Sequence, residues 1–183
     1  MLKTTDLSAY NNSGYNAGPL IKRMLWYLVS LMFFRNALFP FYGFKTLLLR
    51  AFGAKVGRGL VIKPYVNIKY PWFLTLGDHC WIGELVWIDN LADVSIGDHV
   101  CVSQGALILS GNHNYAESHF PLMLKPIVLE NGVWIGAKAI VCGGSKCLSH
   151  AVLRAGSVTA GVLVAYSVYA GNPAVKAKER VIN

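Results

Sequence analysis

The chain has 183 residues, 54% of them hydrophobic and only 14% charged, with a mean hydropathy of +0.42. That length predicts one domain with a full core, and so apolar a composition excludes a freely solvated monomer: surface must be covered by an oligomer or meet a membrane. Seventeen Lys and Arg against nine Asp and Glu give a net charge of +8, which favours anionic partners such as phosphorylated cofactors or anionic lipid; the absence of a basic-aromatic module argues against nucleic acid.

Residues 1–18 are polar and turn-rich, and the apolar stretch starts only near Leu20 without a small-residue cleavage site, so no secretory leader is expected. A reducing, cytoplasmic setting follows, in which Cys80, Cys101, Cys142 and Cys147 are free thiols. Their spacings match no zinc pattern, and no metal is expected. Leu20 to Phe52 is rich in Leu, Phe, Trp and Tyr and reads as partly helical. Its longest uncharged run, Met24–Phe34, is shorter than the roughly twenty residues that span a bilayer. Two readings of this run stand open: a helix packed on the rest of the chain, or a helix lying on an anionic membrane surface with Lys22, Arg23 and Arg35 as cationic flanks.

From Val56 onward aliphatic residues recur every six positions: Val56, Ile62, Ile68; Leu76, Ile82, Ile88; Ile96, Val102, Ile108; and, in the same phase, Leu129, Ile135, Val141, Cys147, Leu153. The next residue is often glycine (Gly57, Gly77, Gly83, Gly97, Gly136), and the fourth after it is small or β-branched (Val66, Cys80, Val86, Val100, Ala106, Ala139). Short strands need β-formers and tight corners need glycine or small residues. An inward aliphatic residue every six positions stacks on its equivalent one coil away, which is the pattern of a β-solenoid. Period six fits neither the 3.6-residue turn nor the period-two alternation of a hairpin meander.

The phase breaks between Ile108 and Leu129, where about 15 surplus residues predict a loop excursion at about 112–126. At the end, Asn172-Pro173 reads as an N-cap with proline at the first helical position, predicting a short helix through Lys176, Lys178 and Arg180. The expected organisation is a partly helical segment over 1–54, a β-helix over 55–171 and a C-terminal helix over 172–183.

Among five histidines, His79 and His99 follow Gly-Asp pairs one coil apart and read as structural corner residues. His113 sits at an outward position just where the chain leaves the coil, which suits an imidazole acting as a general base in a cleft between coil and loop. Cys101 lies on an outward column and reads as a packing residue. The columns Val61, Trp81, Cys101, Trp134 and Asn67, Trp87, Leu107, Ile140 are too apolar to remain in water.

Ile96-Gly97-Asp98-His99-Val100, Val133 to Ala139, Ala155-Gly156-Ser157-Val158 and Ala170 to Ala174 resemble the hexapeptide-repeat acetyltransferases. With Leu49 to Ala54, Lys69-Tyr70-Pro71-Trp72 and Ser110 to Tyr115, the chain is similar, over roughly residues 20–180, to the colanic-acid-biosynthesis acetyltransferase family. The resemblance implies an all-β, left-handed parallel β-helix and acetyl-CoA-dependent O-acetylation of a sugar hydroxyl in bacterial exopolysaccharide biosynthesis. It also implies a closed homotrimer with active sites at subunit boundaries, and a saccharide acceptor, free or polyprenyl-linked, met at the inner face of the membrane.

By resemblance, His113 is the base. Asp89 and Asn90 contact the acceptor, although hydrogen bonding to the corner backbone explains them equally well. Asp93 binds acceptor or orients the imidazole. The coenzyme runs past Ala137, Ala155, Gly156 and Thr159, with Trp134 walling the acyl end and Lys178 near the phosphates. Two departures from the family pattern stand out: Ala160 replaces a basic residue after the threonine, and Ser145 to His150 lacks a glycine corner. Two other readings remain open: a zinc protein of the γ-class carbonic anhydrase kind, which needs three convergent histidines, and a non-catalytic β-helix scaffold.

Overall fold

A computed structural model describes residues 3–183. Each coil of the chain lays down three short strands. The first holds β1 (Lys55–Val56), β2 (Val61–Ile62) and β3 (Asn67–Ile68); the second β4 (Leu74–Leu76), β5 (Trp81–Ile82) and β6 (Trp87–Asp89). The third holds β7 (Val94–Ile96), β8 (Cys101–Val102) and β9 (Leu107–Leu109), after which β10 (Gly111–His113) and β11 (Leu122–Leu124) leave the coil as a hairpin. The fourth resumes with β12 (Ile127–Leu129), β13 (Trp134–Ile135) and β14 (Ile140–Cys142). The fifth holds β15 (Lys146–Cys147), β16 (Val152–Leu153) and β17 (Val158–Thr159); β18 (Val162–Leu163) and β19 (Ser167–Gly171) begin the sixth, and β20 (Ala174–Glu179) closes the chain.

Equivalent strands pair in parallel to form three sheets, β1-β4-β7-β12-β15-β18, β2-β5-β8-β13-β16-β19 and β3-β6-β9-β14-β17. The fold is a left-handed parallel β-helix. Its core is the predicted column: Ile62, Ile68, Leu76, Ile82, Ile88, Ile96 and Ile108 are all at most 2% exposed. Each such side chain contributes about 1.5–3 kcal/mol on removal from water.

One corner of the solenoid is tied by a ladder of side-chain acceptors. Asp78 Oδ1 accepts the Arg58 N–H at 2.7 Å, Asp98 Oδ1 the Asp78 N–H at 2.7 Å and Asn131 Oδ1 the Asp98 N–H at 2.8 Å. His79 and His99 adopt positive φ at this corner and stack at 5.3 Å, the structural role expected of them.

The apolar segment forms α1 (Leu20–Val29), continues through a π-type turn over Ser30–Phe34, and returns as α2 (Tyr42–Ala51). These helices cover the open end of the first coil. Trp26 is buried, donates its indole N–H to the Ile68 carbonyl at 2.8 Å, and packs against Phe34 and Phe52. Lys45, fully buried, reaches the Ile62 carbonyl at 3.5 Å, and burial lowers its pKa. The opposite face of α1 and its continuation leaves Ile21, Leu25, Leu28 and Met32 exposed. The packed reading of this segment therefore holds for the face that carries Trp26. No helix among the described residues is long and apolar enough to cross a membrane.

The expected C-terminal helix does not form. Asn172-Pro173 is a hairpin turn, with a cis peptide bond, and β20 pairs antiparallel to β19 from Gly171↔Ala174 to Ser167↔Glu179. β19, in the incomplete sixth coil, would otherwise leave an edge of unpaired backbone groups, and the tail covers it. That tertiary demand outweighs the local capping signal.

Candidate active site

The hairpin after β9 starts where Ser110 and Gly111 pass close to the preceding coil. A Cβ on Gly111 would lie 2.6 Å from Leu91 Cδ1, so a larger residue there would have to push the end of that side chain aside. His113 pairs with Leu122 across the hairpin, and the tip is closed by Asn114, whose N–H donates to the Pro121 carbonyl at 3.0 Å.

The His113 ring is half-buried. Its Nδ1 lies 2.9 Å from the Phe120 carbonyl oxygen, and the ring stacks on Phe120 at 4.5 Å. A carbonyl can only accept, so in this contact Nδ1 carries the proton and the neutral ring keeps its lone pair on Nε2. That is the tautomer a base needs.

A cavity of about 440 Å³ opens at this ring. One wall is the N-terminal arm, which the Asp6 N–H pins to the Ser118 carbonyl at 2.8 Å. Tyr10 packs at 5.7 Å from the imidazole, and the Tyr15 hydroxyl donates to the Leu91 carbonyl at 2.9 Å. Burial, then Tyr70 and Asp89, raise the Tyr15 phenol above its ordinary pKa, so it stays a donor. Arg23, Lys69 and Tyr70 close the far side. Tyr10, Tyr15, Arg23 and Lys69 were not singled out as site residues from the sequence; the one available signal was two tyrosines in an otherwise polar arm.

The residues expected beside His113 divide. Asp89 lies near the cavity, mostly buried, with Lys69 Nζ 3.1 Å from its Oδ1, close enough for an ion pair but without hydrogen-bond geometry. Asn90 is fully buried, and its amide is occupied by one backbone: Oδ1 accepts the Tyr70 N–H at 3.1 Å and Nδ2 donates to the Tyr70 carbonyl at 2.6 Å. It is a corner clasp, not an acceptor contact. Asp93 does not orient His113. Because the hairpin has left the coil, the chain stacked on Asp93 is that of Ile127, whose N–H its carbonyl accepts at 3.0 Å, and its side chain faces a separate depression beside Lys55 and Trp72.

On the second sheet a groove of about 1010 Å³ runs between β13, β16 and the C-terminal strand β20. Trp134, Ala137, Ala155 and Lys178 line it, joined by Arg154 and Arg180. Trp134 is held by its indole N–H to Ser103 Oγ at 2.9 Å. Gly156 stands next to Ala155 with positive φ and its N–H bonded to the Ala137 carbonyl at 2.9 Å. Thr159 does not reach the groove: it is 5% exposed on the third sheet, its hydroxyl 3.5 Å from the Gly161 N–H. Small residues along an edge, an aromatic wall and cations at one end fit a pantetheine arm ending in phosphates. Arg154 and Arg180 add positive charge to the groove, although Arg180 also donates to the Gly132 and His150 carbonyls.

The groove shares no lining residue with the His113 cavity. Among the described residues no three His, Cys, Asp or Glu side chains converge as a metal site, and His119 pairs instead with Glu117 at 3.3 Å. All four cysteines are free thiols.

A coiled scaffold of six-residue repeats, with an outward imidazole and a small-residue groove, defines a hexapeptide-repeat acyltransferase. No protein-family profile matches the chain. It is 38% identical over 177 residues to the "Putative colanic acid biosynthesis acetyltransferase WcaF" of Escherichia coli (strain K12), covering 96% of this chain and 97% of that protein. The chain belongs to that acetyltransferase family. Solved structures share the fold: a hexapeptide-repeat-containing acetyltransferase complexed with acetyl coenzyme A, from Vibrio cholerae O1 biovar eltor, superposes with a TM-score of 0.82 at 21% identity over 96% of each chain. A galactoside acetyltransferase in complex with coenzyme A gives 0.78 at 22% identity, covering 87% of this chain and 80% of that one.

Proposed function

We propose that the protein is an O-acetyltransferase that moves the acetyl group of acetyl-CoA to a sugar hydroxyl, with His113 as base, in the making of an exopolysaccharide. The observation that carries this reading is the Nδ1 contact to the Phe120 carbonyl, which leaves Nε2 as the proton acceptor at the mouth of a polar cavity. In the reaction Nε2 takes the proton of the acceptor hydroxyl as its oxygen bonds to the acetyl carbonyl carbon. The C–S bond then breaks and His113 returns the proton to the departing sulfur, giving the acetyl ester and free CoA. A backbone N–H at the groove edge meets the transient oxyanion. Trp134, Ala137 and Ala155 hold the pantetheine arm, with Gly156 shaping the corner; Lys178, with Arg154 and Arg180, faces the phosphates. Asp89 contacts the acceptor.

Because the groove and the His113 cavity share no wall within one chain, a complete site needs two copies. The columns Val61-Trp81-Cys101-Trp134 and Asn67-Trp87-Leu107-Ile140 stack in register, and Trp81 is 61% exposed in the single chain. A closed ring of three covers these faces and brings the groove of one copy to the His113 of the next. The exposed stripe of Ile21, Leu25 and Met32, beside Lys22 and Arg35, supports peripheral contact with an anionic bilayer at the cytoplasmic face. Release of CoA on mixing acetyl-CoA with candidate saccharides tests the reaction; no release with wild-type protein across free, nucleotide-linked and lipid-linked acceptors counts against it.

A further inference from the structure

The cavity at His113 carries one positive charge too many. Lys69 and Arg23 line its far side, and Asp89 stands behind Lys69, its Oδ1 3.1 Å from the Lys69 Nζ. Lys69 and Asp89 offset each other, which leaves the Arg23 guanidinium over. Tyr15, near enough to feel both Asp89 and Arg23, adds no charge, because its phenol stays protonated. Lys22, one residue before Arg23, is engaged elsewhere, with its Nζ 4.5 Å from the centre of the Trp72 ring.

Arg23 is half-buried and joins no ion pair among the described residues. Its Nε is enclosed and has no hydrogen-bond partner there. A cation drawn part-way out of water and left unpaired is costly, and an anion seated against it offsets that cost. With Nε enclosed, the two terminal nitrogens are left to meet a ligand, and their N–H groups match the two oxygens of a carboxylate. A phosphate monoester brings a charge of about −1.5 to −2 at neutral pH, more than the single charge left over, and it would crowd Asp89. Tyr10, Asn12 and Asn16, also in the lining, offer hydroxyl and amide groups that suit the hydroxyls of a sugar ring.

We infer that the acceptor is an acidic sugar: the ring acetylated at His113 carries a carboxylate, and Arg23 holds it. The sugar part of this assignment rests on the acetyl-transfer reading above; the anion site does not.

The anion site is tested on the full chain by titration calorimetry with the methyl glycosides of glucuronate and galacturonate. The methyl esters of these two probes keep the shape and lose the charge, and methyl glucoside 6-phosphate puts a phosphate in place of the carboxylate. At least one uronide should bind roughly 10–100-fold tighter than its ester, the effect of one charge-assisted contact, and tighter than the phosphate. Raised salt should narrow that gap. Arg23→Gln should remove the advantage and leave the ester unmoved, and Arg23→Lys, which keeps the charge and loses the fork, should remove less of it. Melting curves establish that the variants fold. Lys69→Gln, which also takes one positive charge from the cavity, gives the same reading should Arg23→Gln not fold. Esters that bind as well as the uronides, a phosphate that binds tighter, or binding indifferent to Arg23 and Lys69 overturns the inference.

CoA release from acetyl-CoA is then compared for each uronide and its ester. The preferred uronide should have the higher kcat/KM, with the difference in KM, and Arg23→Gln should erase the difference while kcat holds. Equal use of uronide and ester overturns the inference and leaves acetyl transfer standing. Arg23-dependent binding of a uronide without CoA release from any acceptor would instead sink the acetyl-transfer reading and leave the anion site intact.

Discussion

His113 and Phe120 are joined twice: the Phe120 carbonyl accepts from imidazole Nδ1 at 2.9 Å, and the Phe120 ring lies flat against the imidazole at 4.5 Å with 13° between planes. One residue therefore fixes both the tautomer and the orientation of the proposed base. His113→Ala should fold, bind acetyl-CoA and lose about 10²–10⁴-fold in kcat, the usual worth of a positioned base. Near-wild-type turnover with a verified acceptor would remove His113 from the mechanism.

Phe120→Ala keeps the carbonyl and removes the ring. Its kcat should fall by roughly 3–10-fold, since stacking is worth about 0.5–1.5 kcal/mol, while the acetyl-CoA KM stays unchanged. A loss as large as that of His113→Ala would mean that the hairpin itself had collapsed.

Assembly can be tested by complementation. Sedimentation of the wild type should show a trimer at micromolar concentration, and Trp81→Glu with Leu107→Glu should dissociate it and abolish CoA release. His113→Ala and Ala155→Glu chains, each inactive alone, should regain activity when co-assembled, because one supplies the groove and the other the base. A monodisperse, fully active monomer rules out the shared site.

Membrane contact is best probed on the outward face of α1. Trp26 is unsuitable, being 2% exposed and bonded to Ile68. Flotation with anionic vesicles should carry the wild type, and raised salt or Ile21→Glu with Leu25→Glu should release it. A wild type that stays at the bottom of the gradient refutes docking.

A corner glycine and a helical one carry opposite expectations. A Cβ at Gly83 would lie 2.7 Å from the Gln104 backbone nitrogen, so Gly83→Ala should cost about 1–3 kcal/mol. Gly43, in α2, meets nothing within 4 Å, so Gly43→Ala should stabilise by about 0.5 kcal/mol. Melting temperatures moving in the same direction would contradict this account.

Burial pushes the Cys147 thiol up to about 12 from an ordinary value of 9.0. The folded state thus holds the neutral thiol, and its contribution is intact below pH 9 and lost as pH rises towards 12, when the unfolded chain ionises first. Native protein at pH 8 should leave Cys147 unmodified by iodoacetamide; rapid labelling there would place the thiol outside the core.

The solenoid was legible in the sequence because its rule is local. Inward and outward alternate within a hexapeptide, and Ile62, Ile82 and Val102 repeat without reference to distant parts of the chain. The departure of the hairpin was legible as a break in that phase. What remained hidden depended on contacts without a period. Tyr10 reaches His113 from the far end of the chain, and β20 exists only because β19 presents an edge. For Asn90 the sequence left acceptor contact and backbone bonding level, and only the Tyr70 backbone one coil away decides between them; for Asp93, equivalence by coil number does not survive the detour, because once the hairpin leaves at Gly111 the chain lying over it is that of Ile127.

That detour has a further consequence. Val94 pairs with Ile127, Cys101 with Trp134 and Leu107 with Ile140, so all three sheets step by 33 residues across the third and fourth coils. The hairpin is thus a bracketed insertion: the scaffold on either side resumes as though nothing had intervened. The part of the molecule that carries the candidate base can be lengthened, shortened or exchanged while the coils keep their pairing, much as a tool is changed on a fixed handle. The candidate base rides on this insertion, whereas the groove on the second sheet is built from the coils themselves.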